Sequence, residues 1–239
     1  MKRLIYMVLF VLVLSTASVT VIHASLTVRA IIDRDVHVVF ILKKLDPTLY
    51  DKIKRSSTSF DSTTIPRVII DYLKKQNLMH AAFSDAELQF DDSNNAIHVS
   101  FRLSGPDIVN LSLNRTRMAM VYHVRVEWRK LRVNLTEDFL LDLDKFFGVP
   151  MNQWQVINYT DLENVVHSAL YYSHAGSGDF DPTCYFILPP TATHIRTLSD
   201  MIIFEVPLPP EERLLHSPLI IVGALIILNV AALIYRKIR

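Results

Sequence analysis

The sequence predicts an α+β fold: an exported domain of mixed sheet and helix on a single C-terminal transmembrane helix. Three observations lead there. Pro218 to Tyr235, PLIIVGALIILNVAALIY, runs 18 residues without a charge and is followed by Arg236, Lys237 and Arg239. Lys2 and Arg3 precede a second apolar run, Leu4 to Leu14. Between the two, alternating apolar and polar stretches are interleaved with capped or proline-marked helix starts, the pattern of an α+β domain.

The C-terminal run, as a helix rising about 1.5 Å per residue, reaches roughly 27 Å, enough for a bilayer's hydrocarbon core. The basic residues behind it mark a cytoplasmic end. The N-terminal run, ending in Ile22-His23-Ala24, reads as a signal peptide over 1–24, with an uncleaved signal anchor as the other reading. The expected organisation is therefore an exported domain over 25–206 and a Pro-rich stalk over 207–217. A transmembrane helix over 218–235 and a basic tail over 236–239 complete it. That places the chain at the cell membrane as a single-pass protein, its N-terminal domain outside the cytoplasm.

Residues 25–217 hold 20 of the 25 Lys and Arg but all 24 Asp and Glu, a formal charge of −4. That balance leaves no electrostatic footprint for nucleic acid. The basic cluster from Arg125 to Arg132 is interrupted by apolar residues and reads as a solvated strand face. Cys184 is the only cysteine, so no internal disulfide can form.

In chain order, Leu26, Val28, Ala30 and Ile32 alternate, Asp33-Arg34-Asp35 breaks the run, and Val36 to Leu42 resumes it, which predicts a hairpin. Asp46-Pro47 and Pro66 mark two helix starts, the second followed by Val68, Ile69, Tyr72 and Leu73 on one face. Ala86 to Phe90 and Ile97 to Leu103 flank Asp91-Asp92-Ser93-Asn94-Asn95, a second hairpin. Tyr122 to Trp128 predicts a long strand. Thr136-Glu137-Asp138 predicts a short helix closed by Gly148, and the capping box Thr160-Asp161-Leu162-Glu163 a helix to about Ser173. Strands follow at Cys184 to Leu188, near His194, and at Met201 to Val206. This order admits two similar halves meeting near residue 115.

No catalytic motif stands out, and no cofactor is expected. Four sequons give glycosylation candidates at Asn110, Asn114, Asn134 and Asn158. On a helix, His167 and His174 would share a face, with Asp179, Asp181 and Cys184 completing a ligand set on paper. Cys184, His194 and Met201 form a second such set, in blue-copper order. Set against both is a plain core cysteine. Asn229 is the one amide inside the apolar run, a candidate polar contact with another helix. These features point to a binding or structural module: an accessory subunit or envelope-interaction protein whose partners are the lipid bilayer and another membrane or envelope protein. A membrane-anchored enzyme or metal-binding protein using His167, His174 and Cys184 is the alternative.

Overall fold

β1 (Ala24–Ile32) and β2 (Val36–Lys43) form the first hairpin, with Asp33 N donating to Asp35 O at 2.8 Å in its turn. The computed structural model of the chain describes residues 24–57, 64–136, 139–174, 180–215 and 226–228. Asp46 caps α1 (Pro47–Ser57), its Oδ1 accepting from the amides of Thr48 and Leu49 at 2.9 and 3.2 Å. α2 (Thr64–Lys75) buries Ile69 and Leu73. β3 (Ala82–Asp91) and β4 (Ala96–Ser104) make the second hairpin, where Asp91 Oδ1 accepts from the amides of Ser93 and Asn94.

The sequence reading then parts from the structure. β5 (Val109–Asn114) and β6 (Ala119–Arg125) pair, and the chain turns through a 3-10 segment at Glu127–Lys130 instead of extending to Trp128. β7 (Arg132–Thr136) and β8 (Phe139–Asp142) form a two-stranded ribbon ahead of α3 (Leu143–Phe147). A second 3-10 turn at Met151–Gln153 leads into β9 (Gln155–Thr160) and β10 (Val166–Ser173). β11 (Phe180–Ile187), β12 (Thr193–Thr197), β13 (Met201–Pro207) and α4 (Pro210–Leu215) complete the described chain.

The α+β expectation is therefore corrected. Strand accounts for 50% and helix for 22% of the described residues, which are mostly β-sheet. The largest single change is the helix expected from Thr160 to Ser173. In place of the expected capping box, Asp161 Oδ1 takes the amides of Glu163 and Val165 at 2.9 and 2.8 Å and so closes a hairpin turn. The residues beyond it, with Val165, Val166, Tyr171 and Tyr172, are β-formers that pack against neighbouring strands.

Nor does the chain fall into two halves at residue 115. The large sheet has the order β3-β4-β2-β1-β11-β10-β9, so strands from before and after residue 115 share it. β1 and β11 lie parallel at its centre, Val28 opposite Cys184, while its other pairs are antiparallel. A four-stranded sheet, β12-β13-β6-β5, is separate from it.

The membrane anchor also needs correction. Among the described residues no helix is long and apolar enough to cross a membrane, so a single-pass anchor is not supported. Of the segment 218–235 only 226–228 are described, as helix; Asn229 lies outside the described residues, as do 1–23 with the signal segment. Within the expected stalk, Pro210–Leu215 is helical, and Arg213 Nε donates to Leu208 O at 2.6 Å.

Period-two alternation decides which face of the large sheet is core. Leu26, Val28, Ala30, Val38, Phe40, Phe101, Leu170, Cys184 and Phe186 point inward and are buried. Trp128 and Trp154 both pack on Phe186, with ring centroids 5.5 and 5.2 Å away, and Phe147 lies 6.5 Å from Trp154. Arg129, read from sequence as part of a solvated face, is instead 1% exposed. Its Nη1 donates to Phe147 O at 2.6 Å; its Nη2 donates to Ser199 O at 3.0 Å and to Asp200 Oδ1 at 2.7 Å. Burial lowers the guanidinium's pKa from its ordinary value, and the charge of Asp200 opposes that. Arg129 thus ties the 3-10 turn to α3 and to the loop before β13.

Candidate functional site

The opposite face of the large sheet has the other parity, and its residues are mostly half-buried or exposed. On β10 and β11, Tyr171 stands beside Tyr185 with ring centroids 5.2 Å apart; on β9, Tyr159 approaches Tyr185 at 5.7 Å. Arg29 on β1 pairs across the central parallel junction with Tyr185 and is exposed. Ile31, 46% exposed, and the half-buried Val39 and Ile157 extend this surface along β1, β2 and β9. Burial pushes the Tyr185 hydroxyl's pKa up and Tyr171 adds to it, while Arg29 pulls the other way, so the group stays a neutral hydrogen-bond donor.

Toward β3 the same face changes character. Arg102 Nη1 meets Asp35 Oδ2 at 2.7 Å and its Nε meets Asp85 Oδ2 at 2.9 Å, so that side carries mutually satisfied charges. The outer face therefore has an aromatic and aliphatic end near β9 and a charged end near β3.

The histidine and cysteine candidates are dispersed. His167 shares a face with Ala169, whereas Cys184, opposite Tyr172, points into the core on the other face of the sheet. His167 is already engaged, Nδ1 lying 2.9 Å from Leu188 O and Nε2 3.0 Å from Asp161 Oδ2. That contact, then the amide of Val165, holds the Asp161 carboxyl below its ordinary pKa. His174 stacks on Tyr172 with centroids 6.5 Å apart. Asp179 lies outside the described residues, and Asp181 is exposed on β11. Burial pushes the Cys184 thiol's pKa far up, which leaves it a neutral core side chain. His194 and Met201 sit in the four-stranded sheet, apart from the strand of Cys184. Among the described residues no group of three His, Cys, Asp or Glu is placed to hold a metal ion.

The sequon asparagines differ in surroundings. Asn158 is exposed on β9 and Asn110 is exposed on β5. Asn114 Nδ2 donates to Glu205 Oε1 at 3.2 Å, and its Oδ1 accepts from the amide of Arg117. Asn134 pairs with Leu140 in the β7–β8 ribbon.

A cavity of about 370 Å³ on the small sheet is lined by Pro106, Asp107, Asn110, Ser112, His123, Arg125 and Met201. Its charged groups are committed elsewhere. Arg125 Nε and Nη2 both donate to Glu127 Oε1, at 2.8 and 2.5 Å. Asp107 Oδ2 accepts from the His80 backbone amide at 2.7 Å, the main cause of its lowered pKa. The aromatic end of the outer face, where among the described residues neither Arg29 nor a tyrosine of the cluster is held in an ion pair, is the stronger candidate.

Comparison with protein-family models, with curated proteins and with solved structures found no match for this chain.

Sequence reasoning missed the tyrosine cluster because it placed Tyr171 and Tyr172 on a helix. The signal was present in the alternation of Ala169, Tyr171 and Ser173 against Leu170 and Tyr172, which a strand sorts onto two faces.

Proposed function

We propose that this chain is a protein-binding module whose docking surface is the aromatic end of the outer sheet face, centred on Tyr185. The observation that carries the reading is the group of three tyrosines, Tyr159 and Tyr171 each packing on Tyr185, beside exposed Arg29. Tyrosine and arginine are the residue types most enriched where interfaces concentrate their binding energy. A sheet face suits a folded protein better than a small molecule, which wants a concave site. The partner's chemistry follows from the patch: an apolar centre to cover Tyr171, Tyr185 and Ile31, with a carboxylate positioned for Arg29.

The test is retention of proteins on the immobilised full chain, comparing wild type with Tyr171→Ser, Tyr185→Ser and a control, Glu87→Lys, at the charged end. A protein held by wild type and control but lost by both tyrosine variants, with unchanged melting temperatures, supports the reading. If every retained protein is kept equally by all four forms, the reading is wrong.

A further inference from the structure

Among the described residues the seven- and four-stranded sheets have four edge strands, and they are not equally guarded. β3 carries Asp85, Glu87 and Asp91 and a register shift between Ser84 and Glu87. β12 is five residues long, holds Arg196 and shifts register between Thr193 and Arg196. Charges, bulges and shortness are the devices that keep an edge from pairing with another chain. β5 is uncharged, but its entry is flanked by His80, whose amide and ring both meet Asp107, and Gly105 lies tight against His80 O. β9 has none of these. Its six residues, Gln155-Val156-Ile157-Asn158-Tyr159-Thr160, include no charge, no proline and no bulge against β10. Val156 is 58% exposed on it, and among the described residues no strand pairs with its outer side.

We infer that β9 pairs antiparallel with β9 of a second copy of this chain, joining two seven-stranded sheets through a two-fold axis perpendicular to them. A row of unpaired backbone amides and carbonyls calls for another strand, and the composition of β9 favours its own copy. Two-fold pairing of identical strands must match residues of the same face, so the permitted registers are few. With Asn158 opposite its own copy, Ile157 lies opposite Tyr159 on the outer face and Val156 opposite Thr160 on the other. Aromatic with β-branched and β-branched with β-branched are favourable cross-strand pairs. The next pair outward sets Gln155 against Asp161, so no like charges meet. Because the axis keeps outer face with outer face, the tyrosine clusters of both copies merge into one surface. This inference rests on the edge and not on the partner-binding reading, so either can fail alone.

The experiment uses the full chain made without glycans, since Asn158 is also a sequon asparagine and a glycan there would block the seam. Light scattering after gel filtration should report twice the chain mass for wild type. Asn158→Lys, which sets two ammonium groups face to face, should halve it. Asn158→Cys tests the register directly. Its two copies would lie opposite one another with Cα atoms about 4.5–5.5 Å apart, within disulfide reach. Cys184, 0% exposed, cannot compete. Mild oxidation should then give a covalent dimer, whereas Thr160→Cys, whose copies sit four register positions apart at roughly 13 Å, should stay uncoupled. A monomeric wild type overturns the inference. So does a dimer unaffected by Asn158→Lys, a covalent dimer from Thr160→Cys but not from Asn158→Cys, or a mass that grows with concentration beyond two chains.

Discussion

Replacing Arg129 by Met probes the polar anchor of the core. The methionine fills much of the space of the arginine stem but makes none of the three hydrogen bonds to Phe147 O, Ser199 O and Asp200 Oδ1. Charge-assisted bonds contribute about 1.5–3 kcal/mol each. Against their loss stands the relief of keeping a guanidinium out of water, several kcal/mol in itself. Breaking such a buried pair costs about 3–5 kcal/mol net. The lower end applies here, because Asp200 keeps Lys130 at 2.7 Å and is not left without a counter-ion. A loss of about 3 kcal/mol in a fold of this size lowers the melting temperature by about 6–12 °C. Urea unfolding followed by tryptophan fluorescence is the direct assay, since Trp128 precedes Arg129 and Trp154 packs against Phe147. The midpoint should fall with the slope unchanged. Arg129→Lys should recover part of the loss, as one ammonium cannot reach all three acceptors. If the Met variant matches wild type within about 0.5 kcal/mol, the charge contributes nothing net and the anchor argument fails.

Three further outcomes are expected. Asp161 and Asp200 both have carboxyl pKa values held below the ordinary 3.8 in the folded chain, Asp161 chiefly by the His167 hydrogen bond. At Asp200, burial works the other way and is outweighed by Lys130 and Arg129. Folded values below unfolded ones mean a stabilisation complete above about pH 4–5 and lost as pH falls through the folded values. Asp161→Asn should flatten that acid limb in melts between pH 2 and 5, and an unchanged limb would contradict it. Cys184 should resist thiol reagents in the folded chain and react only on unfolding, as mass spectrometry with and without denaturant will show. Once a partner is in hand, Tyr185→Ala should weaken binding by at least about 2 kcal/mol, roughly thirtyfold in Kd, by titration calorimetry.

Local chemistry made parts of this chain legible in advance. The β1–β2 and β3–β4 hairpins, the Asp46-Pro47 helix start and the strand at Met201 each follow from a period-two pattern or a cap that acts within a few residues. Other elements rested on signals that two structures share. Thr160-Asp161-Leu162-Glu163 matches a capping box although Asp161 here closes a hairpin turn, and only pairing with β9 and β11 settled Val166 to Ser173 as strand. Arg129 likewise carries no mark in the sequence that separates it from Arg125 or Arg132. Its burial comes from Phe147, Ser199 and Asp200 converging from 18, 70 and 71 residues away. The tyrosine cluster and the unguarded edge of β9 are of the same kind. Residue types and alternation were set by the sequence itself, but which strand lay outermost was decided by the parallel pairing of β1 with β11, a contact between segments far apart in the chain that no local pattern encodes.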